Sequence, residues 1–156
     1  MNKKIIAILS LLIVLMSITA VSAFGLDDLL GDNRPDQNIT IDNIKFQLPA
    51  EFEEDKNYES INEKASQGGV EYTYSQKTFQ NDDGNSISIL VGDYGEYKVT
   101  DEIVSVMGGE KTTINNVTGY LSHEDDIIVF GAAKNNKLIV ITAEDEDDIG
   151  EVTIIE

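Results

Sequence analysis

The chain has no cysteine and no tryptophan, and its 156 residues include two prolines and one histidine. Without cysteine there is no disulfide, no thiol nucleophile, no thiolate metal site and no lipid-modified cysteine at a processing point. The single histidine, His123, stands beside Glu124 and Asp125 in a predicted turn. A solvated turn residue explains it better than a base held by a carboxylate and aimed at a nucleophile. Cations are scarce as well. Eleven Lys and Arg face 29 Asp and Glu, for a formal net charge of −18. A field of that sign repels phosphate backbones and anionic lipid surfaces, so nucleic acid is not an expected partner. Solubility is the first use of such a charge. No glycine-rich phosphate loop occurs, because Gly92-Asp93-Tyr94-Gly95 sets a carboxylate between its glycines.

Acids are also missing from the start of the chain, where none precedes Asp27. Met1-Asn2-Lys3-Lys4 leads into an apolar run from Ile5 to Phe24, interrupted by Ser10, Ser17, Thr19 and Ser22 alone. A short basic start, an apolar stretch and small residues at its end (Val21-Ser22-Ala23) are the three parts of a secretory signal. Residues 1–23 are therefore expected to be a signal peptide cut after Ala23, or a signal anchor if uncut. A helix apolar all round belongs in lipid or in a large core. From Ile5 to Phe24 such a helix would reach ~30 Å, enough to span a bilayer with Lys3 and Lys4 kept inside. Either way the remainder is expected outside the cytoplasm, secreted or anchored to the cell membrane, touching lipid through the N-terminal segment alone. Loss of Lys3 and Lys4 with the signal leaves it two charges more negative still.

Residues 24–37, which include GLDDLLGDNRPDQ, read as a linker, and 38–156 as one acidic domain of ordinary size that needs no staple. Ile39 and Ile41, then Ile44, Phe46 and Leu48, alternate on either side of Asp42-Asn43, which predicts a hairpin ended by Pro49. Tyr58, Ile61 and Ala65 at helical spacing predict a short surface helix within Asp55–Ser66, stopped by Gly68-Gly69. Strands are expected around Val70–Tyr74, Ile87–Val91, Lys111–Ile114, Val117–Ser122, Ile127–Ala132 and Leu138–Ala143, with turns at Asn81–Asn85, Gly92–Gly95, Asn115-Asn116 and Asn135-Asn136. Thr100 reads as the N-cap of a helix ended by Gly108, with Val99 and Val104 as a hydrophobic staple. The spacing of Ile149, Val152 and Ile155, behind the acids Asp145–Asp148, favours a terminal helix, although Val152–Ile155 is β-branched throughout, as strands prefer, and Gly150 weakens a helix. The sum is an α+β fold: a single antiparallel sheet of about seven strands with two or three short helices, preceded by the N-terminal hydrophobic helix.

No residue emerges as catalytic, cofactor-binding or metal-ligating, and no cofactor is expected. Asn81-Asp82-Asp83-Gly84-Asn85 and Glu144-Asp145-Glu146-Asp147-Asp148 are oxygen-rich, as calcium requires. Neither has the ligand order of a helix-loop-helix site, and turn chemistry and helix capping explain them. Asn38-Ile39-Thr40 and Asn116-Val117-Thr118 make Asn38 and Asn116 glycan acceptors if the chain is exported. Among 29 acids, some pair will stand at the spacing a glycosidase needs by chance alone. Tyr72, Tyr74, Tyr94, Tyr97 and Tyr120 offer an aromatic face, although tyrosine on a strand more often half-buries its ring.

Ile41-Asp42-Asn43-Ile44-Lys45-Phe46-Gln47-Leu48-Pro49 behind a signal, then Lys77-Thr78-Phe79-Gln80-Asn81, Val99–Ile103 and Thr113–Tyr120, resembles small exported proteins of methanogenic archaea. The resemblance implies location and fold and carries over no functional residue. A strand ending in Leu48-Pro49, a meandering sheet and a closing helix are also similar to the exported PsbP/Mog1-like α+β domain, a superfamily mostly of accessory and protein-binding modules. The expected function is thus a non-enzymatic extracytoplasmic binding or accessory module of the cell envelope, its partner an envelope protein or a ligand. The alternatives are a calcium-binding surface protein and a carboxylate-dependent hydrolase of surface glycans.

Overall fold

The computed structural model describes residues 35–67 and 69–155. The signal or anchor, its cleavage point at Ala23 and most of the expected linker lie outside them. Along the chain run β1 (Gln37–Ile41), β2 (Ile44–Leu48), β3 (Glu53–Glu54), β4 (Ser60–Gln67), β5 (Val70–Gln80) and β6 (Ser86–Asp93). After a short helix α1 (Asp101–Val104) come β7 (Glu110–Ile114), β8 (Val117–Glu124), β9 (Ile127–Lys134) and β10 (Lys137–Ala143), then α2 (Glu146–Glu151) and β11 (Thr153–Ile154).

The strands are antiparallel but form two sheets where one was expected: a three-stranded β1-β2-β11 sheet and an eight-stranded sheet in the order β3-β5-β6-β10-β9-β8-β7, with β4 beside β5. The small sheet is separate because Ile41, Ile44, Phe46 and Leu48 make one face of the β1–β2 hairpin too apolar to stand in water. They pack with Phe52, Phe79, Ile87, Ile89, Phe130, Ile139 and Ile141 on one side of the large sheet. On its other side Leu90, Val129, Leu138 and Val140 meet Val99, Val104 and Met107 from α1 and its flanks. Three layers result. The middle strands β6 and β10 are covered on both faces, so they are buried almost throughout and carry the apolar runs Ile89–Val91 and Leu138–Ile141.

The primed turns sit where Asp and Asn predict them. Asp42-Asn43, Asn115-Asn116 and Asn135-Asn136 all have positive φ, between 44° and 66°. Three elements differ from expectation. The helix predicted within Asp55–Ser66 is a 3₁₀ turn, Lys56–Tyr58, followed by β4. Gly69 lies in a hairpin turn instead of stopping a helix: its φ is 80°, and Gln67 pairs with Val70. Too little of Ser60–Gln67 is apolar to anchor a helix, whereas pairing with β5 satisfies its backbone. The terminal helix stops at Glu151, and the β-branched stretch beyond it becomes β11, pairing with Gln47 and Phe46 of β2. Gln37, assigned to the linker, is already in β1, and its side-chain amide donates to the carbonyls of Pro49 and Phe52. Smaller differences are that Gly92 and Asp93 belong to β6, and that Thr100 takes the N-cap backbone conformation without a side-chain cap bond.

Two turns fasten the layers together. The Asn115 side chain donates to the carbonyls of Gly150 (2.7 Å) and Val152 (3.0 Å), tying the β7–β8 turn to the end of α2. Lys137 at the start of β10 holds the β1–β2 turn through the Asp42 carboxylate (2.6 Å) and carbonyl (3.0 Å).

Candidate functional site

β5 is longer than its neighbour. Its last pairing with β6 is Thr73 opposite Asp93, so Val70–Tyr72 continue past the end of β6 with β4 alone beside them. Where β6 leaves, a cleft of about 600 Å³ opens, lined by Lys64, Ala65 and Ser66 of β4, Glu71, Tyr72 and Thr73 of β5, and Asp93 and Gly95. Register organises it. Lys64, Thr73 and Asp93 are cross-strand neighbours in one row, and Ser66 stands opposite Glu71 in the next. Strand pleat sends all five to the face that carries the small sheet.

Asp93 is fixed on both sides. One carboxylate oxygen accepts the Gly95 N–H at 2.8 Å, while the other is 3.5 Å from the Lys137 ammonium that grips Asp42. Behind the cleft, Tyr72 stacks on Tyr94 with ring centroids 5.1 Å apart, and Tyr74 tilts against Tyr72 at 6.3 Å. Burial pushes both the Tyr94 and the Tyr72 hydroxyls above their ordinary pKa, and each also feels a neighbouring tyrosine, so both stay protonated. The Tyr94 hydroxyl is buried without a hydrogen-bond partner among the described residues. The tyrosines therefore form no common aromatic face: Tyr72 and Tyr94 are core, Tyr97 is exposed, and Tyr120 lies under the Lys111 ammonium at 5.9 Å.

His123 lies within β8, not in the turn expected for it, and its Nε2 is 3.5 Å from a carboxylate oxygen of Glu146 on α2. It is not among the residues lining the cleft. Asn38 and Asn116 are both exposed, Asn38 on β1 and Asn116 in the β7–β8 turn. The two oxygen-rich stretches, distant in sequence, turn out to be neighbours: the Asn85 side chain hydrogen-bonds Asp148. Still, among the described residues no three His, Asp or Glu side chains gather closely enough to hold a metal ion.

Asp148 is a buried acid. Its residue is 8% exposed, and one carboxylate oxygen is buried with no partner among the described residues. Burial raises its pKa most, and Asp145, Asp147 and Glu51 add to this, against the opposing bond from Asn85. Glu151 is raised likewise, by burial first and then by Glu51, Asp148, Asp147 and Asp36.

The chain matches no family model, no curated protein and no solved structure. Among the described residues, no helix is long and apolar enough to cross a membrane. Both the cleft and the Asp148 neighbourhood escaped sequence reading because each joins residues through strand register or tertiary packing. Lys64, Ser66, Glu71 and Thr73 carry no spacing signature, and the segment holding Lys64 and Ser66 had read as helix.

Proposed function

We infer that the protein is a non-enzymatic binding or accessory module that works outside the cytoplasm, released or tethered by its N-terminal segment. It holds an envelope component or ligand in the cleft beside the end of β6. One observation carries this reading: the concave polar surface and the burial-perturbed carboxylates are in different places. Enzymes that use carboxylates bring the two together. Here Asp148 and Glu151 are on α2, and neither lines the cleft.

The cleft's chemistry suits a small hydroxylated ligand. Ser66 and Thr73 offer hydroxyls that both donate and accept, Lys64 donates, and Glu71 and Asp93 accept. Its volume is that of a small-molecule site. Export, the other half of the reading, rests on the basic start and the apolar run to Phe24.

The test is an NMR titration of the isotope-labelled protein with surface glycans, simple sugars and peptides from the envelope. The expected result is saturable shifts clustered at Lys64, Ser66, Glu71 and Thr73, abolished by Thr73→Arg. Release of cleaved glycan in the same tubes would favour the hydrolase reading and end this one.

A further inference from the structure

α2 and β11 form a strap at the C-terminal end of the domain. Ile149, Val152 and Ile154 are buried in the core between the two sheets, and the Ile155 N–H donates to the Lys45 carbonyl at 2.8 Å, extending the pairing with β2. Asp148 sits at the foot of that strap, nine-tenths buried, with one carboxylate oxygen that no donor among the described residues reaches.

Among the described residues, the charged groups that act on Asp148 are acids. Asp145 and Asp147 come from the first turn of its own helix, and Glu51 from the segment between β2 and β3. Glu151, at the other end of α2, feels the charges of Glu51, Asp148, Asp147 and Asp36. Asn85, from the β5–β6 turn, contributes one hydrogen bond. Among the described residues, Lys137 of β10, the strand against which α2 packs, is held by Asp42 and Asp93 at the other end of that strand, and the His123 imidazole of β8 stands near Glu146. The β7–β8 turn offers α2 a neutral amide, Asn115. A charged carboxylate in such a place is expensive unless something compensates it.

We propose that the Asp148 cluster is a proton-operated latch on the C-terminal strap: protonation lets α2 and β11 lock the small sheet onto the large one, and charging it loosens them. A proton is the ligand proposed rather than a metal ion, because the surrounding carboxylates are not gathered into a chelating set. The sign follows from linkage. An acid whose pKa is raised on folding binds its proton more tightly in the folded state. Its stabilising contribution is complete below the unfolded carboxylate pKa and is lost as pH rises through the folded value. The latch is independent of ligand binding in the cleft, which lies at the opposite end of the β1–β2 hairpin, beside the Asp42-Asn43 turn.

The experiment is a series of thermal melts between about pH 8 and about pH 4, together with native-state hydrogen exchange corrected for intrinsic rates, on wild type, Asp148→Asn and Asp82→Asn. In wild type the midpoint should rise by a few degrees as pH falls, and the Val152 and Ile155 amides should gain protection. Asp148→Asn should flatten both dependences and raise the midpoint at the alkaline end. Asp82→Asn, which removes an exposed acid from the β5–β6 turn, should keep the wild-type slope. Equal slopes in wild type and Asp148→Asn would overturn the proposal, as would failure of Asp148→Asn to fold at any pH. So would millimolar calcium chloride raising the wild-type midpoint at the alkaline end but not that of Asp148→Asn, which would make the site one for a metal ion.

Discussion

Gly119 on β8 and Gly131 on β9 each keep space for something larger. A methyl group on Gly119 would lie 2.4 Å from the Gly131 carbonyl oxygen and 2.6 Å from the Phe130 ring, against a backbone that cannot move alone. On Gly131 it would meet the Met107 sulfur at 2.7 Å, the flexible end of a side chain. Gly119→Ala should therefore cost about 2–3 kcal/mol in a denaturant melt and Gly131→Ala about 1 kcal/mol. Equal costs would contradict the packing described. Lys77 is the other residue with a measurable assignment. Its ammonium bonds Glu54 at 2.9 Å and Glu59 at 3.1 Å, joining β3 and the approach to β4 through β5. Burial works to lower its pKa, but the two carboxylates outweigh it and the net shift is upward. Lys77→Met leaves both acids without their cation and should cost about 1–2 kcal/mol by the same melt.

At the scale of elements, turn chemistry was the most legible feature of the sequence. Asp42-Asn43, Asn115-Asn116 and Asn135-Asn136 mark three hairpins because these side chains tolerate the positive φ that two-residue turns impose. What each turn does beyond turning was not legible. Asn115 also holds the end of α2 through two hydrogen bonds, whereas the Asn135 side chain, in the same backbone conformation, makes no such bond to another element among the described residues. Asn115→Gly, which keeps the turn and loses those bonds, should destabilise by about 1–2 kcal/mol, and Asn135→Gly by less than about 0.5 kcal/mol. Denaturation midpoints of the two variants check this. The errors also have physical causes. β4 looked helical because Tyr58, Ile61 and Ala65 have that spacing, yet Ile61 is 51% exposed and contributes nothing to a core. What places the segment is an open strand edge on β5, which only the tertiary fold creates. β11 was hidden for a similar reason, since two residues become a strand only when β2 lies beside them. The cleft inherits both difficulties. Its row of Lys64, Thr73 and Asp93 exists only once β4 pairs with β5 in this register.

For the whole molecule, charge and location dominate. A net charge of −18 makes the compact state repel itself, and salt screens that repulsion. Raising sodium chloride from about 0.01 M to about 0.5 M at neutral pH should lift the melting midpoint by a few degrees, read by circular dichroism. A midpoint that falls with salt would mean that ion pairs such as those of Lys77 and Lys137 outweigh the repulsion among the acids. Location is the premise on which the proposed function depends, and one measurement tests it most directly: fractionation of the native cells, with mass spectrometry of the protein's N-terminus in each fraction. The account predicts the protein outside the cytoplasm, either beginning at Phe24 or retained in the membrane with Lys3 and Lys4 still attached. Full-length protein, dissolved in the cytoplasm with residues 1–23 intact, would contradict it.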